Sequence, residues 1–453
     1  MKVLLLNPPS PERLASPLLG MQYVTSSLLA QGCEVKVIDA AARSFPHPAE
    51  WIAQEARDFA PQVIGVGLFT RWVHHAYRLV EQLQGDWLLV AGGPHTTVRA
   101  EETLRLGFDV ALTGEAEQSM RRLIRWRDGR DDIGSIPGVV FRRHDGGVGY
   151  GPPAEFTDDL DALPPPHAAQ HLFDAQWYGD NAAPVPGGVL TSRGCPARCT
   201  FCANHVTGRR FRHRSAQNVV AELNTWNRLS GLTHFPFWDD AFTAEPARIE
   251  ELCQALENGL QFPLTFGVIT RANMITPRLL RIMRRTGLIH VNFGVESGDD
   301  AVLRAIRKGV RTEQVVGALE WAKEAGLLTA CNFMLGFPQE TEAELDRTLR
   351  FMERIAPLVD AFSTMGVVVP FPGTPLYDDY HFQYGFTDWW LKPGYSRYTA
   401  PPRLEDTDRY YRYYIDDANL DLDFFRYTNP VKAMIRECLR YKAEHNLRRM
   451  RAA

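Results

Sequence analysis

Residues 188–202 read GVLTSRGCPARCTFC, a short apolar run that ends in three cysteines at C-x3-C-x2-C spacing. That order puts the thiols just past the carboxyl end of a strand, where parallel α/β folds carry their chemistry. Three thiols within eight residues of one loop exceed what core packing asks for. Structural zinc usually takes four protein ligands arranged as two pairs. The chain has no second C-x2-C, although His205 is near enough to complete a Cys3His zinc site. A [4Fe–4S] cluster takes one cysteine thiolate per iron. Three cysteines leave one iron open, and an open iron can chelate a small molecule through an amine and a carboxylate.

Downstream, apolar runs alternate with helical patterns. Candidate strands are Gly188–Thr191, Phe235–Trp238, Thr265–Ile269, His290–Val295, Thr329–Leu335 and Ala361–Val369. Helical stretches separate them at Ala216–Leu229, Pro246–Glu257, Pro277–Arg285, Glu313–Ala325 and Glu342–Ile355. Six βα units fall short of the eight that close a full barrel, so residues 188–370 are expected to form a partial (β/α)6 TIM-type barrel. Upstream, residues 1–130 alternate in the same way, with strands expected at Val3–Leu6, Val35–Ile38, Val63–Leu68, Leu88–Ala91 and Val110–Leu112. This predicts a doubly wound, Rossmann-like parallel sheet. Residues 131–187 are rich in proline and read as a hairpin with an HDGG turn, then an extended linker. Residues 371–453 form a mostly helical extension, tyrosine-rich and ending in a basic helix over Val431–Arg451.

Bulk properties agree with such a layout. A chain of 453 residues is long enough for two or three domains. A net charge of −4 disfavours a dedicated nucleic-acid binder, and no apolar run is long enough to span a bilayer. The opening MKVLLLNPPS does not read as a signal peptide. Seven cysteines, four of them scattered singly, do not suggest a disulfide framework, so a reducing, cytoplasmic setting is expected.

The cysteine stretch closely resembles that of the radical S-adenosylmethionine (radical SAM) superfamily. The resemblance implies that Cys195, Cys199 and Cys202 hold a [4Fe–4S] cluster whose open iron is capped by SAM. Reductive cleavage of SAM would then give a 5′-deoxyadenosyl radical that takes hydrogen from substrate. Other strand ends carry the same likeness. FPFWDDAF (235–242) offers Asp239 and Asp240 near the SAM amino group, and helix capping is their plainer role. GVITRAN (267–273) offers Arg271 to the SAM carboxylate, NFGVESG (292–298) offers Glu296 and Ser297, and NFMLGFPQET (332–341) offers Asn332 and Gly336.

The N-terminal region resembles the cobalamin (B12)-binding module of B12-dependent radical SAM enzymes, on VLLLNPP, PQVIGVGLF, LLVAGGPHTT and DVALTGEAEQSMRRL. The module's classical D-x-H-x-x-G motif is absent, as it generally is in this subfamily, so no histidine from that motif is expected on cobalt. Residues implied around the corrinoid are Asn7, Pro8, Thr70, Arg71, Trp72, Gly92, Gly93, His95, Gly114, Glu115 and Glu117. His74 and His75 read more simply as residues opening a helix. A nucleotide-binding alternative lacks G-x-G-x-x-G and a Walker lysine.

The resemblance implies a methyltransferase that moves a methyl group from methylcobalamin, formed from cob(I)alamin, to an unactivated carbon of a small biosynthetic molecule. Reduced flavodoxin or ferredoxin would supply electrons. Two alternatives stay open: a cyclase, oxidase or rearrangement enzyme without methyl transfer, and a non-enzymatic cobalamin-binding protein. Methylthiotransferases carry a second three-cysteine cluster upstream, where this chain has only Cys33. Cys253 and Cys331 read as core residues. GRRFRHR (208–214) and the final basic helix read as solvated faces, with an acidic electron donor as the functional alternative for the former.

Overall fold

The structure is a computed structural model that describes residues 1–10, 14–42, 48–178, 186–363, 366–392, 395, 412–413 and 420–452. β1 (Lys2–Asn7) is buried along almost its whole length, which is why it reads as an unbroken apolar run. It lies between β2 (Glu34–Asp39) and β3 (Val63–Gly67), with β4 (Leu88–Gly92) and β5 (Val110–Leu112) continuing in parallel order 2-1-3-4-5. The order reverses beside β1, so a crevice opens past the carboxyl ends of β1 and β3. Helices α1 (Leu19–Ala30), α2 (Pro48–Phe59), α3 (Val73–Val80) and α4 (Pro94–Arg105) are the crossovers, and α5 (Ala116–Arg127) follows β5.

The hairpin forms as β6 (Val139–Arg142) and β7 (Val148–Tyr150), and it is the antiparallel edge of this first sheet. The segment after it is pinned rather than loose. Tyr178 donates to the Asp39 carboxylate at 2.7 Å, and the 3-10 turn at Pro166–Leu172 packs on α1. Pro184, expected in this linker, lies outside the described residues.

A second parallel sheet contains β10 (His234–Phe237), β11 (Thr265–Thr270), β12 (Leu288–Glu296), β13 (Leu328–Leu335) and β14 (Ala361–Phe362), in that order. β15 (Gly366–Val367) pairs with the far end of β13. Phe235, Phe237, Phe266, Phe293, Phe333 and Phe362 alternate along these strands and fill the layer beneath α6 (Ala216–Ser230), α7 (Pro246–Gly259), α8 (Pro277–Arg285), α10 (Thr312–Glu324) and α11 (Glu342–Ile355), with the short α9 (Asp300–Ala305) between β12 and α10. The expected strand Ala361–Val369 is thus two short pieces, and residues 364–365 between them lie outside the described residues.

The first expected barrel strand, Gly188–Thr191, does not form. Val189 makes a single parallel bridge to Phe237. The chain then leaves the ladder, because the Thr191 amide and hydroxyl both donate to Asp239. Instead β8 (Ser192–Arg193) pairs antiparallel with β9 (Arg212–His213), a ribbon that roots the loop bearing the cysteines.

The C-terminal helix Asn429–Ala452 is not the solvated helix its charge suggested. Ile435, Leu439, Ala443 and Lys442 are buried against the barrel. The Asn446 side-chain amide accepts from Phe362 N at 2.8 Å and donates to Phe362 O at 2.9 Å, closing the open edge at β14. Among the described residues no helix is long and apolar enough to cross a membrane.

Candidate active site

The cysteine loop is tied at many points before any ligand is considered. Gly194 has φ +86°, and a Cβ there would sit 2.1 Å from Arg210 O, so only glycine fits. Its amide donates to Asp240 at 3.2 Å, and Thr207 Oγ1 donates to the same carboxylate at 2.7 Å. Cys195 N donates to Gly208 O at 3.1 Å, closing the loop on itself. Thr200 N reaches Ile306 O, and Leu376 N reaches Thr200 O. Phe201, between the last two cysteines, packs on Phe337 at 5.7 Å, with Lys308 Nζ over its ring.

The thiols themselves are graded in exposure. Cys199 is buried, Cys195 half-buried and Cys202 exposed. Burial raises the Cys195 thiol, and shielding of the Cys202 sulfur, though the residue as a whole is exposed, pushes that thiol up to about 11, so a positively charged partner is needed to hold them as thiolates at neutral pH. Arg271 Nη1 lies 3.3 Å from Cys199 Sγ. The Arg271 Nε is buried and has no hydrogen-bond partner among the described residues.

At the first sheet, two cavities open past the strand ends. One, of about 430 Å³, is lined by Asn7 and Pro8 after β1 and by Thr70, Arg71 and Trp72 after β3. Phe371 and Pro372 from the C-terminal extension and His205 from the cysteine loop form its other wall. The second, of about 350 Å³, runs beneath α1 along Gly67, Gly92, Gly93, Gly114, Glu115 and Glu117 to Arg193, Val206 and Thr207. A Cβ at Gly67 or Gly92 would meet nothing within 4 Å, so these glycines face open space. Gly93 has φ +99° and lets the backbone turn beside Leu68.

The model of the B12 binding domain matches residues 15–124, and that of the Radical SAM superfamily matches residues 189–352. The chain joins a B12 binding domain to a radical SAM domain, the pairing of the cobalamin-dependent radical SAM enzymes. It is 29% identical over 391 residues to an uncharacterized methyltransferase of Pyrococcus horikoshii, covering 83% of each chain. It is 27% identical to the cytidylyl-2-hydroxyethylphosphonate methyltransferase of Streptomyces wedmorensis, covering 74% of this chain and 73% of that one. The structure of the cobalamin-dependent S-adenosylmethionine radical enzyme OxsB with aqua-cobalamin bound superimposes with a TM-score of 0.74 at 17% identity. That match covers 100% of this chain and 80% of the other, and the likeness is one of fold.

The cofactors of a cobalamin-dependent radical SAM enzyme are a [4Fe–4S] cluster, SAM and cobalamin, and the residues present fit all three. Among the described residues no three His, Cys, Asp or Glu side chains are close enough to share one metal ion. Cys195 and Cys199 are near enough to act electrostatically on Cys202, and one loop carries the three free thiols that a [4Fe–4S] cluster with one open iron takes. His205 does not complete a Cys3His set. It lies against Pro372 and Gly373, and its Nε2 has no partner among the described residues. The unpartnered Arg271 Nε fits an anionic group beside the cluster site. The apolar cavities with glycine floors fit a corrinoid and its nucleotide tail.

Most of the other expected residues are already engaged within the fold. Asp239, expected beside the SAM amino group, is buried and accepts from Thr191 and Ser192, with Arg248 as its charged neighbour. It fixes the start of the cysteine loop instead. Ser297 is fully buried and bonded to Thr348 Oγ1 and Asp299 N, facing α11 rather than a ligand. Glu296 is buried at φ +73° and paired with Lys308 at 2.7 Å. Asn332 is half-buried, on the face of β13 opposite the fully buried Cys331. His95 is fully buried behind Thr70, bonded to Thr70, Tyr77 and Glu102, so it supports the cavity wall without lining it. Glu115 and Glu117 line the second cavity while paired with Arg212 and Arg193. In GRRFRHR, Arg212 and Arg214 are buried in ion pairs, whereas Arg209 and Arg210 are exposed.

Sequence reading missed Glu340. Its carboxylate accepts from Gly336 N at 2.7 Å and Phe337 N at 2.8 Å, which sets the shape of that strand end. Tyr427 of the C-terminal extension donates to Gly336 O from the other side. Burial raises Glu340 to about 8. A glutamate four residues after a strand-end glycine was the available signal for Glu340, whereas nothing local marks Tyr427.

Proposed function

We propose that the protein is a cobalamin-dependent radical SAM methyltransferase that places a methyl group on an unactivated carbon of a small molecule. One observation carries this reading. The second cavity is walled on one side by Gly92, Gly114 and Glu117 of the first sheet and on the other by Arg193, Val206 and Thr207, which flank the cysteines. A corrinoid and a cluster would therefore face a shared space, with substrate between them. Both similar proteins of known sequence described above are named methyltransferases, which supports the same choice.

When bound, the cluster supplies the electron that cleaves SAM, and the corrinoid supplies the methyl group. The chain supplies position. Cys195, Cys199 and Cys202 would hold the cluster, and Arg271 would take the SAM carboxylate through its forked guanidinium. Glu340 and Tyr427 keep the Gly336 backbone in the shape that would meet the adenine. Thr70, Arg71 and Trp72 would cover the corrinoid face turned away from the barrel. Exposed Arg198 and Arg209, near exposed Cys202, suit an acidic electron donor such as reduced flavodoxin or ferredoxin. The free thiols suit the reducing cytoplasm.

The test is anaerobic turnover of the reconstituted enzyme with SAM carrying a deuterated methyl group and a panel of small molecules. Label in the product, with 5′-deoxyadenosine released alongside, is the expected result. A changed product without label would favour the cyclase or oxidase alternative. Cobalamin binding with no iron–sulfur absorbance would favour the carrier.

A further inference from the structure

Both roots of the cysteine loop end in buried arginines. Arg193 stands two residues before Cys195, and Arg212 is its partner across the ribbon. Neither is solvated: their side chains are 7% and 3% exposed. Each reaches across to the junction of β5 and α5 in the first sheet. Arg212 holds Glu115 with both terminal nitrogens, at 2.7 and 3.0 Å. Arg193 holds Glu117 at 2.6 Å and lies 3.4 Å from Glu115. The glutamates are as buried as the arginines, at 2% and 5% exposed.

The contacts run on without a break to the thiols. Arg212 also donates to Thr207 O at 3.0 Å and to Thr157 O at 2.6 Å. Thr157 N in turn donates to Glu115 at 2.9 Å. Thr207 holds Asp240, whose other contact is Gly194 N, and the next residue, Gly208, accepts from Cys195 N. Phe156 packs on the Gly208 backbone and lies under the Arg212 guanidinium. On the other side, Gly114, Glu115 and Glu117 line the second cavity.

A buried ion-pair cluster is a poor choice for stability alone, because well-packed apolar residues do as well or better. Its advantage is direction. A bidentate guanidinium–carboxylate pair fixes distance and angle together, whereas an apolar contact slides. We infer that the Glu115–Arg212 and Glu117–Arg193 pairs are positioning groups that set the register between the corrinoid crevice and the cysteine loop. The inference rests on the methyltransferase reading only in assuming that both cofactors are bound.

The test uses the full-length enzyme loaded with both cofactors. Glu115→Gln keeps the shape but removes the carboxylate charge facing Arg212. Iron and cobalamin contents are measured first, then the spin–spin coupling between cob(II)alamin and the reduced cluster by electron paramagnetic resonance. The expected result is full cofactor content with a coupling that is weakened and broadened. A several-fold rise in 5′-deoxyadenosine released per methyl transferred should accompany it. A coupling identical to that of the unaltered enzyme, with both cofactors in place, would overturn the inference. If Glu115→Gln does not fold, Glu117→Gln gives the same reading, because Arg193 keeps Glu115 beside it. It should shift the coupling in the same direction by less, and an unchanged coupling there overturns the inference equally. An unaltered enzyme that binds no cobalamin would overturn the methyltransferase reading itself, a result distinct from either variant's.

Discussion

The two parallel sheets end in different kinds of site. Past β1, β3 and β4 the chain leaves room: glycines at 67 and 92 face open space and the walls are mainly apolar. Past β10 to β13 the polar groups of the strand ends are already engaged by their own neighbours. Asp239, Asp240, Glu296 and Glu340 each hold a backbone or side-chain donor. The difference follows from ligand size and charge. A corrinoid is bulky and needs volume with close backbone approach, whereas a cluster and SAM are compact and charged and need fixed dipoles. The same βα architecture supplies either, depending on what the strand-end loops carry.

The largest break of this contrast is Cys199→Ser. Iron content and reductive SAM cleavage should fall to the detection limit while cobalamin binding, read by its visible absorbance, stays. Loss of cobalamin binding as well would show that the two sites are not separable. Arg271→Gln removes one charged fork beside the cluster site. SAM affinity should drop about 10- to 100-fold, since a charge-assisted hydrogen bond contributes about 1.5–3 kcal/mol and tenfold is about 1.4. Equilibrium binding to the oxidised-cluster form measures it. Gly92→Leu does the reverse, filling the open space at the first sheet. Cobalamin affinity should fall about tenfold or more, overpacking costing about 1–3 kcal/mol, with iron content unchanged.

The smallest effect concerns stability. Burial raises Glu340 from 4.5 to about 8. The folded state therefore keeps a proton that the unfolded chain releases, and the stabilisation is complete below about pH 4.5 and lost as pH rises through about 8. Glu340→Gln should flatten that dependence. Melting temperatures of the two proteins, compared from about pH 5 to about pH 9, should converge at low pH and separate at high pH in favour of the variant. Parallel curves would mean that Glu340 is already ionised in the fold.

Much of this contrast was legible in the chain. The C-x3-C-x2-C spacing named the cluster, and the alternation of apolar runs with helical patterns gave both sheets within a few residues. The crevice residues Asn7, Pro8, Thr70, Arg71 and Trp72 were found because doubly wound sheets bind ligand at the order reversal. Gly188–Thr191 misled because its apolar pattern is that of a strand. Only Asp239, some fifty residues on, draws the Thr191 amide out of the ladder. Glu115 and Glu117 line the second cavity as their strand-end position suggested, but their pairing with arginines from the other side of the linker was not legible locally.

By itself the sequence determined the class of chemistry, because thiol spacing and strand period are short-range properties of the chain. Only the tertiary structure decided which charged residues remain available to ligands. Burial and pairing depend on neighbours distant in sequence, as Arg212 with Glu115, Asn446 with Phe362 and Tyr427 with Gly336 all show.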